Sequence, residues 1–262
     1  MKQRLDTAIY SGGLTKSREQ AKQLIKSGCV NVNGKPASKA SLEVDDTDTI
    51  ELVGEQCPYV GRGGLKLEKA LKLWQLDVKG LVCLDIGAST GGFTDCLLQN
   101  GAERVYSVDV GHDQLDNSLR GDRRVISMER MNIRSADASL FPDVSFVCMD
   151  VSFISVKLII PKISEILGGG GEAVILIKPQ FEAGKGNVGK NGIVKSPAVH
   201  KSVLREVVAS CLLSQLTPVG LTVSPITGSD GNTEYLLRLT AAKTEYIPID
   251  TDRVADEALS RK

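Results

Sequence analysis

The 262-residue chain lacks the residue patterns that would place a metal ion or a disulfide framework in it. None of its six cysteines forms a Cys-x-x-Cys pair, and several lie inside apolar runs. Disulfide scaffolds and zinc sites need other spacings, so we expect buried free thiols in a reducing compartment. The only two histidines, His112 and His200, exclude a multi-histidine centre, and no metal site is expected.

Long apolar runs are also missing. The run 173–177 has five residues, whereas a helix that spans a bilayer needs about 18. The first residues, MKQRLDTAIYSGG, contain no apolar stretch long enough for a signal peptide. These absences predict a cytoplasmic protein with no membrane partner.

Net charge is absent as well, but the charges are unevenly distributed. Lys plus Arg and Asp plus Glu each number 32, which excludes a uniformly basic or acidic protein. Residues 1–40 nevertheless carry eight basic residues against two acidic ones, or +6, which leaves −6 for the rest of the chain. Such asymmetry favours a module that faces nucleic acid, joined to a different domain.

The basic N-terminal segment has the pattern of a small α+β module. Ser17 is placed to cap a helix whose apolar face is formed by Ala21, Leu24 and Ile25, and the opposite face carries Arg18, Lys22 and Lys26. Like charges four residues apart cost about 0.2–0.5 kcal/mol per pair, which an anionic partner would offset. The alternative is a solvated helix face. The Asn-Gly pair at positions 33 and 34, between strand-like runs, predicts a hairpin.

This segment resembles the alpha-L RNA-binding domain first seen in the fourth small-subunit ribosomal protein. The resemblance covers about residues 1–57 and rests on SREQA, the basic helix and the VNVNGK hairpin. It implies binding to structured RNA. The predicted RNA contacts are Arg4, Arg18, Lys22, Lys26, Lys35 and Arg62.

The remaining chain has the alternating pattern of an α/β domain. Residues 58–64 mix Pro and Gly and are predicted to be a linker, followed by a domain over 65–262. Apolar runs at 81–86, 105–109, 144–150, 173–178, 221–226 and 235–239 alternate with helical patterns near 93–100, 113–120, 156–167 and 198–214. This alternation predicts βαβ units and a parallel sheet. The expected fold is Rossmann-like, with ligands at the carboxyl ends of the strands.

The first strand–helix junction has the features of a cofactor site. The sequence DIGASTGGFTD starts at Asp85, and Asp109 ends the next strand, 22 residues after Gly87. A dinucleotide fingerprint needs glycine where Ser89 stands. The spacing instead resembles motif I of S-adenosylmethionine methyltransferases, although a purely structural turn is the alternative. The predicted contacts to S-adenosyl-L-methionine are Asp85, Gly87, Ser89, Gly91, Gly92, Phe93, Asp109 and Asn132.

Four polar residues lie where a core position explains them poorly. Asp150 and Lys178 end apolar strands, Glu234 precedes the last one, and Lys66 lies off the apolar face of a helix. Each alone could be a charge turned to solvent. Together they would place two lysines and two carboxylates at one edge of a sheet.

With GRGGLKL, MDVSFIS, IKPQFE and GNTEYLL, this set resembles the TlyA family, whose catalytic domain is of the FtsJ type of 2'-O-ribose methyltransferases. The resemblance implies a catalytic tetrad of Lys66, Asp150, Lys178 and Glu234. It also implies methylation of cytidine in ribosomal RNA, with ribosomal subunits as partners. Asn132 departs from a position that is often acidic in FtsJ-type enzymes.

Three other functions stay open at this point. A small-molecule methyltransferase would leave the basic helix without a role, and a non-enzymatic RNA-binding or assembly factor would leave the polar strand ends unexplained. A hemolysin, the label that some family names carry, would need a segment that inserts into membranes. The modified nucleotide, the ribosomal subunit, the oligomeric state and the lysine that accepts the proton are also left open.

Overall fold

The computed structural model describes residues 2–15, 17–26, 29–53, 57–228 and 231–260. Its contacts divide the chain into two compact units, Met1–Pro58 and Tyr59–Lys262. The predicted linker 58–64 therefore lies, apart from Pro58, inside the second unit. There the N–H of Val60 donates to the Asp95 carboxylate at 2.8 Å, which ties this segment to the helix Gly92–Gln99.

The described residues of the first unit form two helices and five short strands: β1 Gln3–Arg4, α1 Leu5–Ser11, α2 Arg18–Lys26, β2 Val30–Val32, β3 Lys35–Pro36, β4 Glu43–Val44 and β5 Ile50–Leu52. β2 pairs antiparallel with both β3 and β5. Ala21 and Ile25 of the predicted apolar face are buried in a single small core with side chains of α1, and the partly buried Leu24 packs against it. This arrangement confirms the predicted α+β module.

Local sequence signals account for the boundaries in this unit. The Ser17 hydroxyl accepts the N–H of Gln20 at 3.1 Å and caps α2, as its sequence position predicts. Asn33 and Gly34 have φ values of 52° and 73°, the left-handed conformation that a two-residue hairpin turn between β2 and β3 requires.

The second unit is built around a seven-stranded sheet. Its strands are β6 Val82–Ile86, β7 Arg104–Val108, β8 Val125–Met128, β9 Val144–Met149, β10 Glu172–Ile177, β11 Thr217–Val223 and β12 Tyr235–Thr240. They lie in the order β11-β12-β10-β9-β6-β7-β8. The five from β10 to β8 are parallel, which confirms the Rossmann-like prediction. β12 pairs antiparallel with β10 and β11, which was not predicted.

The helices of this unit are α3 Gly63–Trp74, α4 Gly92–Gln99, α5 Asn117–Arg120, α6 Ile160–Leu167, α7 Pro179–Glu182, α8 Pro197–Leu213 and α9 Thr251–Ser260. The large core contains side chains of the central strands together with those of α6, α8 and α9. The strand order reverses at β6, because β7 lies on one side of it and β9 on the other. In open α/β sheets, a ligand crevice forms at the carboxyl ends of the strands at such a switch point.

Candidate active site

The loop between β6 and α4 needs glycine at two positions. Gly87 and Gly91 have φ values of 85° and 95°, which glycine adopts at no steric cost. A Cβ atom on Gly87 would lie 2.5 Å from the carbonyl oxygen of Asp150, and one on Gly91 would lie 2.2 Å from a methyl group of Leu119. The backbone of this loop therefore runs in close contact with its neighbours at the switch point of the sheet.

The carboxylate of Asp109 joins this loop to the next strand end. Its Oδ2 atom accepts the N–H of Ser89 at 2.8 Å, and its Oδ1 atom accepts the N–H of Gly111 at 2.6 Å. The N–H of Met131 donates to the Asp109 carbonyl, so the exposed Asn132 lies beside the same strand end. The structure thus brings three predicted cofactor residues, Ser89, Asp109 and Asn132, to one edge of the sheet.

Asp85 lies behind the glycine loop, in the protein interior. Its side chain is fully buried and accepts the hydroxyl of Thr94 at 2.7 Å, and the Thr94 hydroxyl also contacts that of Ser107. Gly92 and Phe93 are buried at the start of the same helix. The structure therefore gives these three predicted cofactor residues packing positions, in which Asp85 fixes α4 beneath the loop.

The buried carboxyl of Asp85 leads to a prediction about pH. Burial raises its pKa to about 7, whereas an aspartate in the unfolded chain has a pKa of about 3.9. Between these values the folded protein keeps a proton that the unfolded chain releases, so the free energy of unfolding should fall as pH rises through this window. In Asp85→Asn this decrease in the free energy of unfolding should be absent. Its size in the wild type is at most about 1.4 kcal/mol per pH unit.

Urea titrations at several pH values, followed by the fluorescence of the single tryptophan, Trp74 in α3, would measure this difference. If the free energy of unfolding changed with pH in the same way in the wild type and in Asp85→Asn, the assignment of a raised pKa to Asp85 would be contradicted.

A chain of four alternating charges lies at the carboxyl edge of β9 and β10. Lys178 Nζ contacts Asp150 Oδ1 at 2.6 Å, Asp150 Oδ2 contacts Lys66 Nζ at 3.2 Å, and Lys66 Nζ contacts Glu234 Oε2 at 2.8 Å. The four residues come from the first turn of α3, the ends of β9 and β10, and the residue before β12. All four side chains are largely buried. The structure therefore brings the whole predicted catalytic set together.

Ion pairs affect the pKa values of Lys66 and Asp150 more strongly than burial does. Burial alone would lower the pKa of Lys66, but the carboxylates of Asp150 and Glu234 raise it above its ordinary value. Burial alone would raise the pKa of Asp150, but the ammonium groups of Lys66 and Lys178 lower it. Lys66 and Asp150 are therefore held in their charged forms.

The two lysines differ in their surroundings. Lys66 Nζ lies between two carboxylates, whereas Lys178 Nζ contacts one carboxylate and donates to the exposed Ser152 hydroxyl at 2.8 Å. Lys178 Nζ lies 6.0 Å from the ring centroid of Phe181. The ring of Phe153, which is 92% exposed, lies 5.1 Å from that of Phe181, centroid to centroid. The two lysine side chains are equally buried, at 9% and 10% exposure, but Lys178 has one carboxylate partner and an exposed hydroxyl as its neighbours.

Glu182 joins the two loops that form this end of the site. Its carboxylate accepts the Ser155 hydroxyl at 2.6 Å and the Val156 N–H at 2.8 Å. This contact ties the loop after β9, which carries Ser152 and Phe153, to the short helix α7 that follows Lys178. Sequence reasoning assigned no role to Glu182, because its partners lie 26 and 27 residues away.

Two of the arginines predicted to bind RNA also stabilise the first unit. Asp6 is fully buried, and its carboxylate accepts Arg4 Nε at 3.0 Å and Arg18 Nη2 at 3.1 Å. The hydrogen bond from Arg4, together with Arg18, lowers the pKa of Asp6 to about 2. Arg18 therefore has a structural role besides the predicted RNA contact, because its guanidinium neutralises a buried carboxylate. About half of each arginine side chain is still exposed (50% and 49%).

The other predicted RNA contacts have simpler surroundings. Lys22 pairs with the exposed Glu19 at 2.9 Å, and Lys35 is exposed in β3. Arg62 is exposed immediately before α3 in the second unit. The side chain of Lys26 lies outside the described part of the structure.

One cluster in the second unit contains atoms of the kind that hold a metal ion. Ligand atoms of His112, Asp113 and Glu129 lie within 4.8 Å of one another. Arg120 donates to Asp113 and to Glu129, both at 2.9 Å, and thus supplies positive charge to the two carboxylates. Glu129 also accepts backbone N–H groups of residues 113–115. This cluster therefore has a structural explanation as an anchor of the loop after β7.

Comparison with known families assigns both units. The model of the FtsJ-like methyltransferases matches residues 59–241, and the model of the S4 domain matches residues 3–50. This chain belongs to the FtsJ-like methyltransferases. The S4 match is to the same kind of domain as the alpha-L domain predicted from the sequence, and both predicted resemblances are therefore confirmed.

Three proteins illustrate how far the similarity extends. Hemolysin A of Brachyspira hyodysenteriae is 45% identical over 89% of this chain and 98% of its own. The 16S/23S rRNA (cytidine-2'-O)-methyltransferase TlyA of Mycobacterium tuberculosis is 40% identical over 90% of this chain and 89% of its own. A solved structure of a Streptococcus thermophilus protein is 45% identical, with a TM-score of 0.80 over 99% of this chain and 96% of that one.

Among the helices in the described ranges, none combines the length and the apolarity that a membrane span requires.

Proposed function

We propose that this FtsJ-like enzyme transfers a methyl group from S-adenosyl-L-methionine to the ribose 2'-hydroxyl of cytidine in ribosomal RNA. The observation that carries the proposal is the chain Lys178–Asp150–Lys66–Glu234 at the same sheet edge as the glycine loop. A TlyA relative named for this reaction matches 90% of this chain, and the S4 model matches residues 3–50. Ribosomes are then the partners, and the cytoplasm is the place of action.

The residues present fit the cofactor. The glycine loop at the switch point offers the close backbone approach that nucleotide-type ligands need, and Asp109 offers carboxylate oxygens for ribose hydroxyls. Gly87, Ser89, Gly91, Asp109 and Asn132 are the residues that would hold it. When bound, S-adenosyl-L-methionine supplies a methyl group on a positively charged sulfur.

The protein's own task is to prepare the hydroxyl. A ribose hydroxyl is a poor nucleophile until its proton is removed, and a positioned base can contribute about 10²–10⁴-fold to the rate. We assign this proton to Lys178 Nζ, because it contacts one carboxylate and the exposed Ser152 hydroxyl, whereas Lys66 Nζ lies between two carboxylates. Only the neutral amine can accept a proton, so the ammonium of Lys178 must first release one to water before it takes the proton of the hydroxyl. Asp150 orients Lys178, while the ammonium of Lys66 adds positive charge where the oxygen becomes negative. Glu234 holds Lys66 in place.

The aromatic pair beside Lys178, the exposed Phe153 and the half-buried Phe181, suits a nucleotide substrate. RNA bases that are turned out of a helix stack on aromatic side chains. Phe153 and Phe181 offer such a surface next to the proton acceptor.

The direct test is transfer of labelled methyl groups from S-adenosyl-L-methionine to ribosomal RNA, with the modified nucleotide mapped afterwards. Asp109→Ala is the cofactor variant, and its affinity for S-adenosyl-L-methionine should be weaker by about 1.5–3 kcal/mol, the usual contribution of hydrogen bonds to a charged group. If the wild type transfers no methyl group to RNA and calorimetry detects no cofactor binding in the presence of RNA, the proposal fails.

The basic surface of the S4 unit should control RNA affinity. Replacing Lys22, Lys26 and Lys35 with Gln should weaken ribosomal RNA binding and flatten its dependence on salt by roughly 2–3 units of slope, if each lysine contacts a phosphate. Arg18 is kept in this variant because it pairs with the buried Asp6. Filter binding over a range of salt concentrations measures the slope.

The matched control removes three cations of the second unit, namely Lys157, Lys201 and Arg205, each of which pairs with a carboxylate as Lys22 does. Its slope should remain close to that of the wild type. Equal slopes for the wild type and the triple variant of Lys22, Lys26 and Lys35 would show that the basic face of the S4 unit is only solvated.

A further inference from the structure

A buried asparagine ties the strand that follows Glu234 to a distant loop. Asn232 is 1% exposed, and its side chain uses both of its polar atoms. Oδ1 accepts the N–H of Val194 at 3.0 Å, and Nδ2 donates to the carbonyl of Gly192 at 2.8 Å. Residues 192–194 end the glycine-rich segment between α7 and α8, so Asn232 fixes that segment about 40 residues away in sequence.

A second set of hydrogen bonds links Val194 to Tyr235, the residue after Glu234. The carbonyl of Val194 lies 3.0 Å from Nε2 of His200, and Nδ1 of His200 lies 2.9 Å from the hydroxyl of Tyr235. Because a carbonyl can only accept, Nε2 carries the proton and Nδ1 accepts from the tyrosine. Burial raises the pKa of Tyr235, which keeps this hydroxyl protonated as a donor.

Together with the backbone from Asn232 to Tyr235, these hydrogen bonds form a closed ring that includes Glu234. Asn232 and Tyr235 flank Glu234 in sequence, and both lead to Val194, one directly and one through His200. His200 and Tyr235 are fully buried, so water does not compete for the ring. The backbone on each side of Glu234 is therefore fixed to the same point.

The carboxylate of Glu234 has little space in which to adjust. A Cβ atom on Gly228 would lie 2.6 Å from Oε1 of Glu234, and the N–H of Gly228 donates to the carbonyl of Asn232 at 2.9 Å. The other carboxylate oxygen contacts Lys66 Nζ at 2.8 Å. A shift of the backbone at Asn232 would thus move Glu234 away from Lys66.

We propose that Asn232 is a positioning residue for methyl transfer, which fixes Glu234 against Lys66 through the ring formed with Val194, His200 and Tyr235. The inference rests on the proposed function, because it assigns Asn232 an effect on the reaction and no contact with substrate. Losing the ring changes the geometry of the charge chain while the cofactor loop keeps its own contacts. The expected defect is therefore in the rate and not in cofactor binding.

The test compares Asn232→Ala with Asn100→Ala in the full-length protein. Asn100 also uses its side-chain amide to bond a backbone carbonyl, that of Cys96 at 2.7 Å, but at the far end of α4. Asn232→Ala should lower kcat about 10- to 100-fold, the loss typical of a displacement of about 1 Å at a reacting centre. Its KM for S-adenosyl-L-methionine should stay within about twofold of the wild type. Asn100→Ala should keep both constants.

A double variant shows whether Asn232 acts through Glu234. In a Glu234→Gln background, Asn232→Ala should lower the single-turnover rate by less than about twofold, because residues that act as a unit are not additive. Tyr235→Phe keeps the aromatic side chain but removes the hydroxyl that bonds to His200. This variant should show a smaller loss of kcat than Asn232→Ala. This variant keeps the proposal testable if Asn232→Ala does not fold.

Normal kcat in Asn232→Ala, or a full additional loss in the Glu234→Gln background, would overturn the positioning role. If Asn232→Ala does not fold, a normal kcat in Tyr235→Phe would also overturn the positioning role. Absence of methyl transfer by the wild type is a different result, which overturns the proposed function and this inference with it.

Discussion

Lys178→Ala is expected to abolish methyl transfer, with a loss of about 10²–10⁴-fold in the rate, because it removes the group that we propose accepts the hydroxyl proton. Binding of S-adenosyl-L-methionine and of RNA should change little, since this proton moves only in the reaction itself. Single-turnover transfer of labelled methyl groups, combined with calorimetry and filter binding, separates these effects.

Lys178→Arg makes the test sharper. Arginine keeps the positive charge beside Asp150 but does not release its proton in proteins, so this variant should be nearly as inactive as Lys178→Ala. The control is Lys201→Ala, which removes a lysine that pairs with Asp256 on α9 and should keep full activity. Substantial turnover by Lys178→Arg would mean that Lys178 acts by its charge alone.

Lys66→Met is expected to reduce both stability and activity. The ammonium of Lys66 lies between Asp150 and Glu234, and without it both carboxylates stay buried with less compensating charge. Breaking a buried ion pair on one side typically costs about 3–5 kcal/mol of the free energy of unfolding. Activity should be lost together with the geometry of the charge chain.

The matched control is Lys72→Met on the same helix. Lys72 is 74% exposed and pairs with Glu68 four residues away, a kind of surface ion pair that contributes about 0–1 kcal/mol. Urea unfolding followed by Trp74 fluorescence compares the two variants within one element. A difference of less than about 1 kcal/mol between them would contradict a central role of Lys66 in the charge chain.

The sequence predicts the charge chain well because polar residues at the ends of apolar strands stand out. In a parallel sheet, the residues after β9 and β10 must lie at the same edge, so Asp150 and Lys178 could be expected to meet. For these two residues the prediction needed only strand ends and a fold class. Lys66 lies on a helix, and its place in the set rested on its position off the apolar face of that helix and on the TlyA resemblance.

Other parts of the fold carry weaker signals. β8 was not predicted, because its four residues are too short a run to stand out from the surrounding loop. α9 was not predicted either, since its apolar face becomes meaningful only when packed against α8. The antiparallel direction of β11 and β12 cannot be derived from alternation, which indicates that a segment is a strand but not which way it runs.

Side-chain direction explains the remaining differences at the site. A motif places Asp85 beside the glycine loop, but only the packing of α4 shows that its carboxylate turns inward to Thr94. Likewise, Arg18 belongs to a basic helix face by its spacing, and only the tertiary contact with Asp6, 12 residues earlier, shows its second role.

The alternation of charges in the active site has a consequence for how salt affects the enzyme. Two ammonium groups and two carboxylates cancel, so the chain from Lys178 to Glu234 is formally neutral and attracts few mobile ions of either sign. Long-range attraction of the RNA backbone must then come from other surfaces, and dissolved ions weaken that attraction without reaching the close, buried contacts of the site. Ionic strength therefore acts on the capture of RNA much more than on the turnover of RNA already bound.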